Sequence, residues 1–154
     1  MRDENIELEK LLDLFKKSLS HLPFKETKRS KLVRKEILKA IASQILTDDE
    51  RAEYFNLPKG CRIREGAKII CPEKLEIGEY CNISENAIID ASGGLSIGSN
   101  TTIGVSVYVW THSSHMANLK SKNEIGSNLI IRKRTSIGSG CFIAGPSIVH
   151  AGSK

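Results

Sequence analysis

The second part of the sequence repeats with a period of six residues, and this feature limits the possible folds more than any other. From Leu57 onward an aliphatic residue returns at hexad spacing, and the residue four places after it is small or compact except at Glu73. The aliphatic positions are Leu57, Ile63, Ile69, Ile77, Ile83, Ile89, Ile97, Ile103, Val109, Ile131, Ile137, Ile143 and Val149. Thirteen hexads in register indicate a solenoid rather than chance.

Three hexads and two extra residues make a longer repeat of 20. The extra residues lie between Ile69 and Ile77 and between Ile89 and Ile97. We interpret this repeat as a coil of triangular cross-section, in which each aliphatic side chain points inward and stacks on its counterpart about 4.8 Å away. The columns predicted in this way are Leu57, Ile77, Ile97 and Ile131; Ile63, Ile83, Ile103 and Ile137; and Ile69, Ile89, Val109 and Ile143. One coil cannot bury its own interior, so stability accumulates by stacking.

Small residues mark the corners of this predicted prism. Cysteine occupies the small position at Cys61, Cys81 and Cys141, which favours packing over metal binding for these thiols. Glycine directly follows the aliphatic residue in four hexads, at Gly78, Gly98, Gly104 and Gly138. We expect these glycines to adopt backbone conformations that other residues resist.

Residues 1–50 have a different pattern, in which apolar residues recur at three-to-four spacing as in amphipathic helices. A proline-containing link and a cap at Thr27 separate two such stretches, so an N-terminal α-helical hairpin is expected. The predicted organisation is therefore a helical region over 1–50 and a repeat domain over 51–154. The hairpin is expected to pack on that domain or on a partner subunit rather than on a membrane.

Composition excludes several classes of function. The net charge of +5 fits either solubility or an anionic ligand, and no nucleic-acid-binding pattern is present. The N-terminus lacks the apolar core of a signal peptide, and no apolar run approaches the roughly 20 residues that span a bilayer. We therefore expect a cytoplasmic protein without membrane insertion. The four cysteines form no CxxC pair, so no metal is expected.

The repeat breaks after Val109. The next aliphatic residue is due at His115, but a polar segment follows, which predicts a protruding loop at about 113–128. His112 lies immediately before this loop, on an outer corner between Ser92 and Pro146 of the neighbouring coils. An outward imidazole at a rigid corner can reach a ligand, but it can equally be an exposed histidine without a role.

The hexads resemble those of the hexapeptide-repeat acyltransferases, over about residues 57–154. That resemblance implies a left-handed parallel β-helix, here preceded by the helical hairpin. The segment ENAIIDASGGLSIGSNTTIGVSVYVWTHSSH is similar to one in galactoside, maltose and polysaccharide O-acetyltransferases. Their catalytic histidine corresponds to His112, which implies a general base that activates a sugar hydroxyl for direct attack on acetyl coenzyme A. The resemblance also implies a homotrimer with sites between subunits.

Further residues are assigned to the acyl donor. The segment SIGSGCFIAG resembles the one that lines the acetyl coenzyme A groove, so Ser139 is expected to contact the donor. Because the related enzymes have their sites between subunits, Ser139 can serve the His112 of a neighbouring subunit. Trp110 follows an inward residue and should face outward, where it can meet the donor, a sugar or a subunit. Arg132 and Arg134 can attract the phosphates of coenzyme A or simply form a solvated corner.

Four residues are candidates for binding the acceptor. His115 can bind substrate, orient His112 or be an ordinary loop residue. Asp90 lies one coil from His112 and can hold its tautomer or satisfy corner amides. Ser84 and Asn86 match a region that touches acceptor sugar in the related enzymes, but Ser84 departs from the asparagine common there, so the acceptor stays open.

The predicted activity is transfer of an acetyl group from acetyl coenzyme A to a sugar hydroxyl, on a precursor of a cell-surface polysaccharide or glycolipid, with N-acetylation as an alternative. A γ-class carbonic anhydrase needs three converging histidines, and the spacing here does not supply them. The motifs of serine acetyltransferase are also not visible. Related acetyltransferases continue for further coils beyond the point matching Lys154, so an inactive or truncated interaction module is the other alternative.

Overall fold

The computed structural model describes residues 27–119 and 129–154, together with residues 10, 13, 14 and 16–18. The chain divides into two compact units, Met1–Ile45 and Leu46–Lys154. In the first unit, helix α1 spans Lys28–Ser43, and the Thr27 hydroxyl accepts the Ser30 amide at 3.0 Å, which confirms the predicted cap. Most of the other predicted helix and the link at 19–26 lie outside the described residues. None of the described helices is long and apolar enough to cross a membrane.

The second unit begins with helix α2, Asp48–Tyr54, which starts at a capping box between Thr47 and Glu50. Arg51 on this helix is buried, with 1% of its surface exposed. Its guanidinium donates hydrogen bonds to the carbonyl groups of Leu46, at 2.6 Å, and of Ile63 in the first coil. A buried guanidinium is tolerated only where such acceptors replace water. Helix α2 is thereby fixed to the first coil.

The remainder of this unit is a parallel β-helix with three faces, as the hexads predicted. The strands are β1 Arg62–Ile63, β2 Lys68–Ile70, β3 Leu75–Ile77, β4 Asn82–Ile83, β5 Ile88–Asp90, β6 Leu95–Ile97, β7 Thr102–Ile103, β8 Tyr108–Val109, β9 His112–Ser113, β10 Ile131–Arg132, β11 Thr135–Ile137, β12 Phe142–Ile143 and β13 Ile148–Val149. The first face is β1-β4-β7-β12, the second β2-β5-β8-β13 and the third β3-β6-β11. All pairs within the three faces are parallel. The helical segments of this region are a 3-10 helix, Pro72–Lys74, and α3, His115–Leu119.

Strand pairing confirms the repeat of 20 in the first coils. Ile63 pairs with Ile83, and Ile83 with Ile103, so the inward isoleucines stack in a column. These three side chains are at most 1% exposed, and burial of each contributes about 2 kcal/mol. The small positions are also inside the prism, where Cys61, Ala67, Cys81, Ala87, Thr101 and Val107 are buried.

After the insertion that follows Val109, the predicted columns are wrong, because each aliphatic residue from Ile137 onward lies on a neighbouring face of the prism and not on the predicted one. Ile97 pairs with Ile137, Ile103 with Ile143 and Val109 with Val149, so consecutive coils are offset by 40 residues there. Ile131 belongs to no face, because β10 pairs antiparallel with β9. Pro146 precedes β13 whereas His112 follows β8, so Pro146 is not its neighbour in the next coil. Hexad spacing alone does not say on which of three equivalent faces a chain resumes.

The predicted reason for glycine after the aliphatic residue is also wrong. The left-handed backbone occurs instead at turn residues such as Asn86, where φ is 58°. At Gly98 φ is not positive, but a Cβ would lie 2.4 Å from the Ser139 amide nitrogen of the next coil. Glycine is therefore needed at this position because two coils approach closely.

Candidate active site

A corner with a network of side-chain hydrogen bonds lies between the second and third faces, around Asp90 and His112. Asp90 ends β5, and His112 follows β8, the next strand on the same face. Stacking of the two coils brings Nδ1 of His112 within 2.8 Å of Oδ2 of Asp90. The carboxylate is fully buried, whereas 32% of the His112 side chain is exposed. The predicted proximity of Asp90 and His112 is therefore observed, and the ring faces outward.

Thr111 fixes the same carboxylate from the backbone side. Its amide and its hydroxyl each donate to Oδ2 of Asp90 at 2.9 Å. The Thr111 hydroxyl in turn accepts the Gly93 amide at 2.7 Å, and the Ser92 amide donates to Oδ1 of Asp90 at 3.1 Å. Each hydrogen bond in this network has a defined donor and acceptor. The acceptors therefore determine which atoms carry the protons.

The carboxylate of Asp90 is ionised at neutral pH. Burial by itself raises the pKa of Asp90, but hydrogen bonds from Thr111, His112 and Ser92 outweigh it and lower the pKa to about 2. An ionised carboxylate only accepts hydrogen bonds, so Nδ1 of His112 must carry a proton. In the neutral imidazole the other nitrogen, Nε2, then keeps its lone pair and can act as a base.

Two aromatic residues extend the site along the second face. The Trp110 ring meets the imidazole of His112 edge to face, with centroids 5.7 Å apart and planes at 88°. Tyr108 stacks on Trp110 at 6.4 Å with an interplanar angle of 24°. Trp110 is partly exposed, as its outward position predicted. The rings of Tyr108, Trp110 and His112 therefore lie in a row along the prism surface.

A groove of about 410 Å³ opens beside this corner. Its lining residues are Lys74, Glu76, Ser92, Gly93, Gly94, Arg132 and Arg134. Ser92 connects the groove to the histidine, because its hydroxyl lies 3.3 Å from Nδ1 of His112. Arg132 is the antiparallel strand partner of His112, and Arg134 forms an ion pair with Glu76 at 2.5 Å. The two arginines predicted to bind coenzyme A therefore lie beside the candidate base.

The remaining predicted site residues lie at several positions around the prism. Ser139 is exposed and follows β11, at the corner between the third and first faces. Ser84 and Asn86 follow β4, at the corner between the first and second faces. His115 begins α3, and its Nδ1 contacts the Ser113 hydroxyl at 2.7 Å. Within one chain Ser139, Ser84 and Asn86 lie at corners other than that of Asp90, whereas His115 lies two residues after β9, the strand that contains His112. Part of the predicted loop, 120–128, lies outside the described residues.

Sequence reasoning missed several members of the site. Thr111 was not predicted as a site residue, although its side chain is fully buried and donates a hydrogen bond to Asp90. Lys74 and Glu76 were missed entirely. The signal that could have found them is the repeat itself, because Glu76 pairs with Ser96 of the third face and Gly94 lies just before that strand. Extending the columns of 20 to outward residues would have placed Lys74 beside Gly94 and Glu76 beside Ser96.

No group of three or more His, Cys, Asp or Glu side chains suitable for a metal occurs within the described ranges. The corner itself offers an oriented imidazole next to a buried carboxylate. Such a pair can remove a proton from a hydroxyl group held near Nε2.

Comparison with known proteins supports the fold assignment. No protein-family model matches the chain, and no curated protein matches it by sequence. Among solved structures, it is similar to a hexapeptide-repeat-containing acetyltransferase of Vibrio cholerae O1 biovar eltor, complexed with acetyl coenzyme A. That match has 16% identity, covers 82% of this chain and 71% of the other, and has a TM-score of 0.64. A second structure of that acetyltransferase, from Vibrio cholerae, matches with 17% identity, 82% and 73% coverage and a TM-score of 0.57. The predicted fold, that of the hexapeptide-repeat acyltransferases, is thus confirmed.

Proposed function

We propose that this chain is an acetyl coenzyme A-dependent O-acetyltransferase in which His112 is the general base. The observation that carries the proposal is the hydrogen bond from Nδ1 of His112 to the buried carboxylate of Asp90 at 2.8 Å. It leaves Nε2 available at a corner that substrate can reach. The accepting hydroxyl is proposed to belong to a sugar, on a cytoplasmic precursor of a cell-surface polysaccharide or glycolipid.

The proposed reaction is a direct transfer. Nε2 of His112 removes the proton from the sugar hydroxyl as its oxygen forms a bond to the acetyl carbonyl carbon. The thioester carbon–sulfur bond then breaks, and the proton on the imidazolium passes to the departing thiolate. Asp90 stabilises the imidazolium that forms between these steps, because its charge lies directly against Nδ1.

The donor is proposed to bind between two chains of a homotrimer. Ser139 and His112 lie at different corners of one prism, so Ser139 can serve only the His112 of a neighbouring chain. The exposed position of Ser139 and the partly exposed ring of Trp110 leave both able to contact a donor along the prism surface. The solved acetyltransferase with this fold, which contains acetyl coenzyme A, supports the choice of donor.

The test is release of coenzyme A from acetyl coenzyme A across a panel of sugar acceptors, combined with calorimetry of donor binding. Acceptor-dependent release with stoichiometric acetylated sugar is the expected result. Tight donor binding without turnover on any sugar would argue against the proposed acceptor class. No binding and no turnover would favour the interaction module instead.

A further inference from the structure

We infer that the acceptor is an anionic sugar, whose carboxylate or phosphate group binds in the groove formed by Lys74, Arg132 and Arg134. This inference rests on the proposed acetyl transfer, because it concerns the substrate of the same site. It names a class of substrate that the fold alone does not specify.

The groove lies close to the candidate base. Arg132 lies directly opposite His112 in the antiparallel β9–β10 pair. Side chains at such opposite positions lie on the same face of the pair, with Cβ atoms about 5 Å apart. Ser92 both lines the groove and contacts the imidazole at 3.3 Å. A sugar whose hydroxyl lies at Nε2 of His112 therefore has the groove within reach of its substituents.

The charge of the groove also favours an anionic ligand. Three cationic side chains and one carboxylate line the groove, and the carboxylate of Glu76 is paired with Arg134 at 2.5 Å. Lys74 donates to the Ser92 carbonyl at 3.2 Å, which leaves its positive charge uncompensated. Arg132 forms no ion pair with any other residue that the structure describes. The groove therefore carries a net positive charge beside the candidate base, and a guanidinium suits a planar carboxylate or a phosphate.

Two glycines, Gly93 and Gly94, shape the groove. Gly93 cannot carry a side chain, because a Cβ would lie 2.3 Å from the Thr111 carbonyl oxygen. Gly94 has a φ of 91°, and a Cβ there would contact the Arg134 side chain at 3.6 Å. Gly93 therefore packs closely against the backbone of Thr111 and Lys133, and Gly94 adds no side chain to the groove, which leaves its surface open beside Arg134. The open surface lets a ligand approach the backbone and both arginines together.

The same cations were also candidates for the phosphates of coenzyme A. Acetyl transfer requires the thioester to lie at His112, and the extended pantetheine arm separates the thioester from the phosphates. Arg132 is a strand partner of His112 and so lies near the thioester end. An anionic group on a sugar, by contrast, lies only a few bonds from the accepting hydroxyl. The position of Arg132 therefore favours the acceptor over the donor.

The test measures KM and kcat for three matched acceptors, which are galactose, galacturonate and galactose 6-phosphate, with the wild-type protein, Arg132→Gln and Lys74→Gln. We expect the wild type to favour at least one anionic acceptor, and the two arms with galacturonate and galactose 6-phosphate distinguish carboxylate from phosphate. Each variant should raise KM for that acceptor by about tenfold. KM for acetyl coenzyme A and for galactose should not change.

The matched control is Arg62→Gln, which removes one exposed cation from the first face, where Arg62 pairs with Asp49. It should leave all KM values unchanged. A raised KM for acetyl coenzyme A in Arg132→Gln, with unchanged acceptor KM, would overturn the inference in favour of donor phosphates. A wild-type preference for galactose would overturn it too.

If the wild type transfers no acetyl group to any sugar, the proposed function fails, and the groove is still tested by binding. Titration of galacturonate and galactose 6-phosphate followed by NMR should then show saturable binding to the wild type that Arg132→Gln weakens about tenfold. Equal shifts in both proteins, or none in either, would contradict an anion-binding groove.

Discussion

Oδ2 of Asp90 and Nδ1 of His112 lie 2.8 Å apart although 22 residues separate them in the chain. The distance is short because the coil repeats every 20 residues, so the ends of β5 and β8 stack on the second face. The buried carboxylate fixes both the orientation of the ring and the nitrogen that carries its proton. One stacked pair of corners therefore orients an imidazole against a buried carboxylate.

Removal of the imidazole should abolish most activity. His112→Ala removes the group proposed to take the hydroxyl proton, so we expect kcat to fall roughly 10²- to 10⁴-fold, with KM for acetyl coenzyme A little changed. Coenzyme A release with a saturating acceptor measures this effect. His150→Ala removes an exposed histidine whose side chain forms no hydrogen bond to Asp90, Thr111 or His112. This variant is the control and should keep full activity. Equal rates for both variants would exclude His112 from the mechanism.

We propose that Asp90 positions the imidazole of His112, so Asp90→Asn should lower kcat about 100-fold without changing KM for acetyl coenzyme A. The asparagine amide neither requires a proton on Nδ1 of His112 nor stabilises the imidazolium. Nitrogen NMR of the imidazole gives an independent reading, because the wild type should show the tautomer protonated on Nδ1 and the variant a mixture. A purely structural role would change the melting temperature but not the tautomer or the kcat of the folded protein.

The same carboxylate should make stability depend on pH in acid. The pKa of Asp90 is lowered from 3.8 to about 2 in the folded protein. Its stabilisation is therefore complete above pH 4 and is lost as the pH falls from 4 to 2. Urea unfolding should show the stability advantage of the wild type over Asp90→Asn shrinking by about 2 kcal/mol across that interval. A constant difference between the two proteins would contradict the hydrogen-bond network.

Gly98 and Gly138 each end a Ser-Ile-Gly sequence, but we expect alanine to destabilise the protein more at Gly98 than at Gly138. A Cβ at Gly98 would lie 2.4 Å from the Ser139 amide nitrogen, whereas a Cβ at Gly138 would meet only the Cys141 sulfur at 3.7 Å. We expect Gly98→Ala to reduce the free energy of unfolding by about 1–3 kcal/mol. Gly138→Ala is the matched control, with a change below about 1 kcal/mol. Similar effects of both substitutions would show that close coil contact does not explain the glycine.

The buried Arg51 should matter more than its charge suggests. Arg51→Met keeps the bulk of the side chain but leaves the carbonyl groups of Leu46 and Ile63 without their donor. We expect a loss of about 2–4 kcal/mol in unfolding free energy, since each unsatisfied buried group costs about 1–3 kcal/mol. Arg62→Met, at an exposed arginine paired with Asp49, should cost less than about 1 kcal/mol. A loss at Arg51 no larger than that at Arg62 would argue against this account of α2.

Several features of the site were predictable because the repeat converts position in sequence directly into position in space. The inward side of Ile83, the outward side of Trp110 and the proximity of Asp90 to His112 all follow from counting within coils of 20. These predictions need no knowledge of side-chain contacts. They hold wherever the hexads are uninterrupted.

Prediction failed where the chain leaves the repeat. The spacing placed Ile131 in the first column, but the chain first pairs β10 with β9 and rejoins the prism only at Thr135. The Thr135 hydroxyl donates to the Trp110 carbonyl and accepts the Gly152 amide, and these contacts are long-range. Which residues make these contacts depends on how the chain returns to the prism in three dimensions, and hexad spacing does not encode that return.

The sequence by itself determined the coil, its period and the side chains that face inward, because each hexad forms the same short strand and corner. The tertiary structure alone decided which face follows the insertion, which nitrogen of His112 carries the proton and which cations lie beside it. Those outcomes depend on contacts between coils and across the β9–β10 pair, where a shift of one hexad changes every partner.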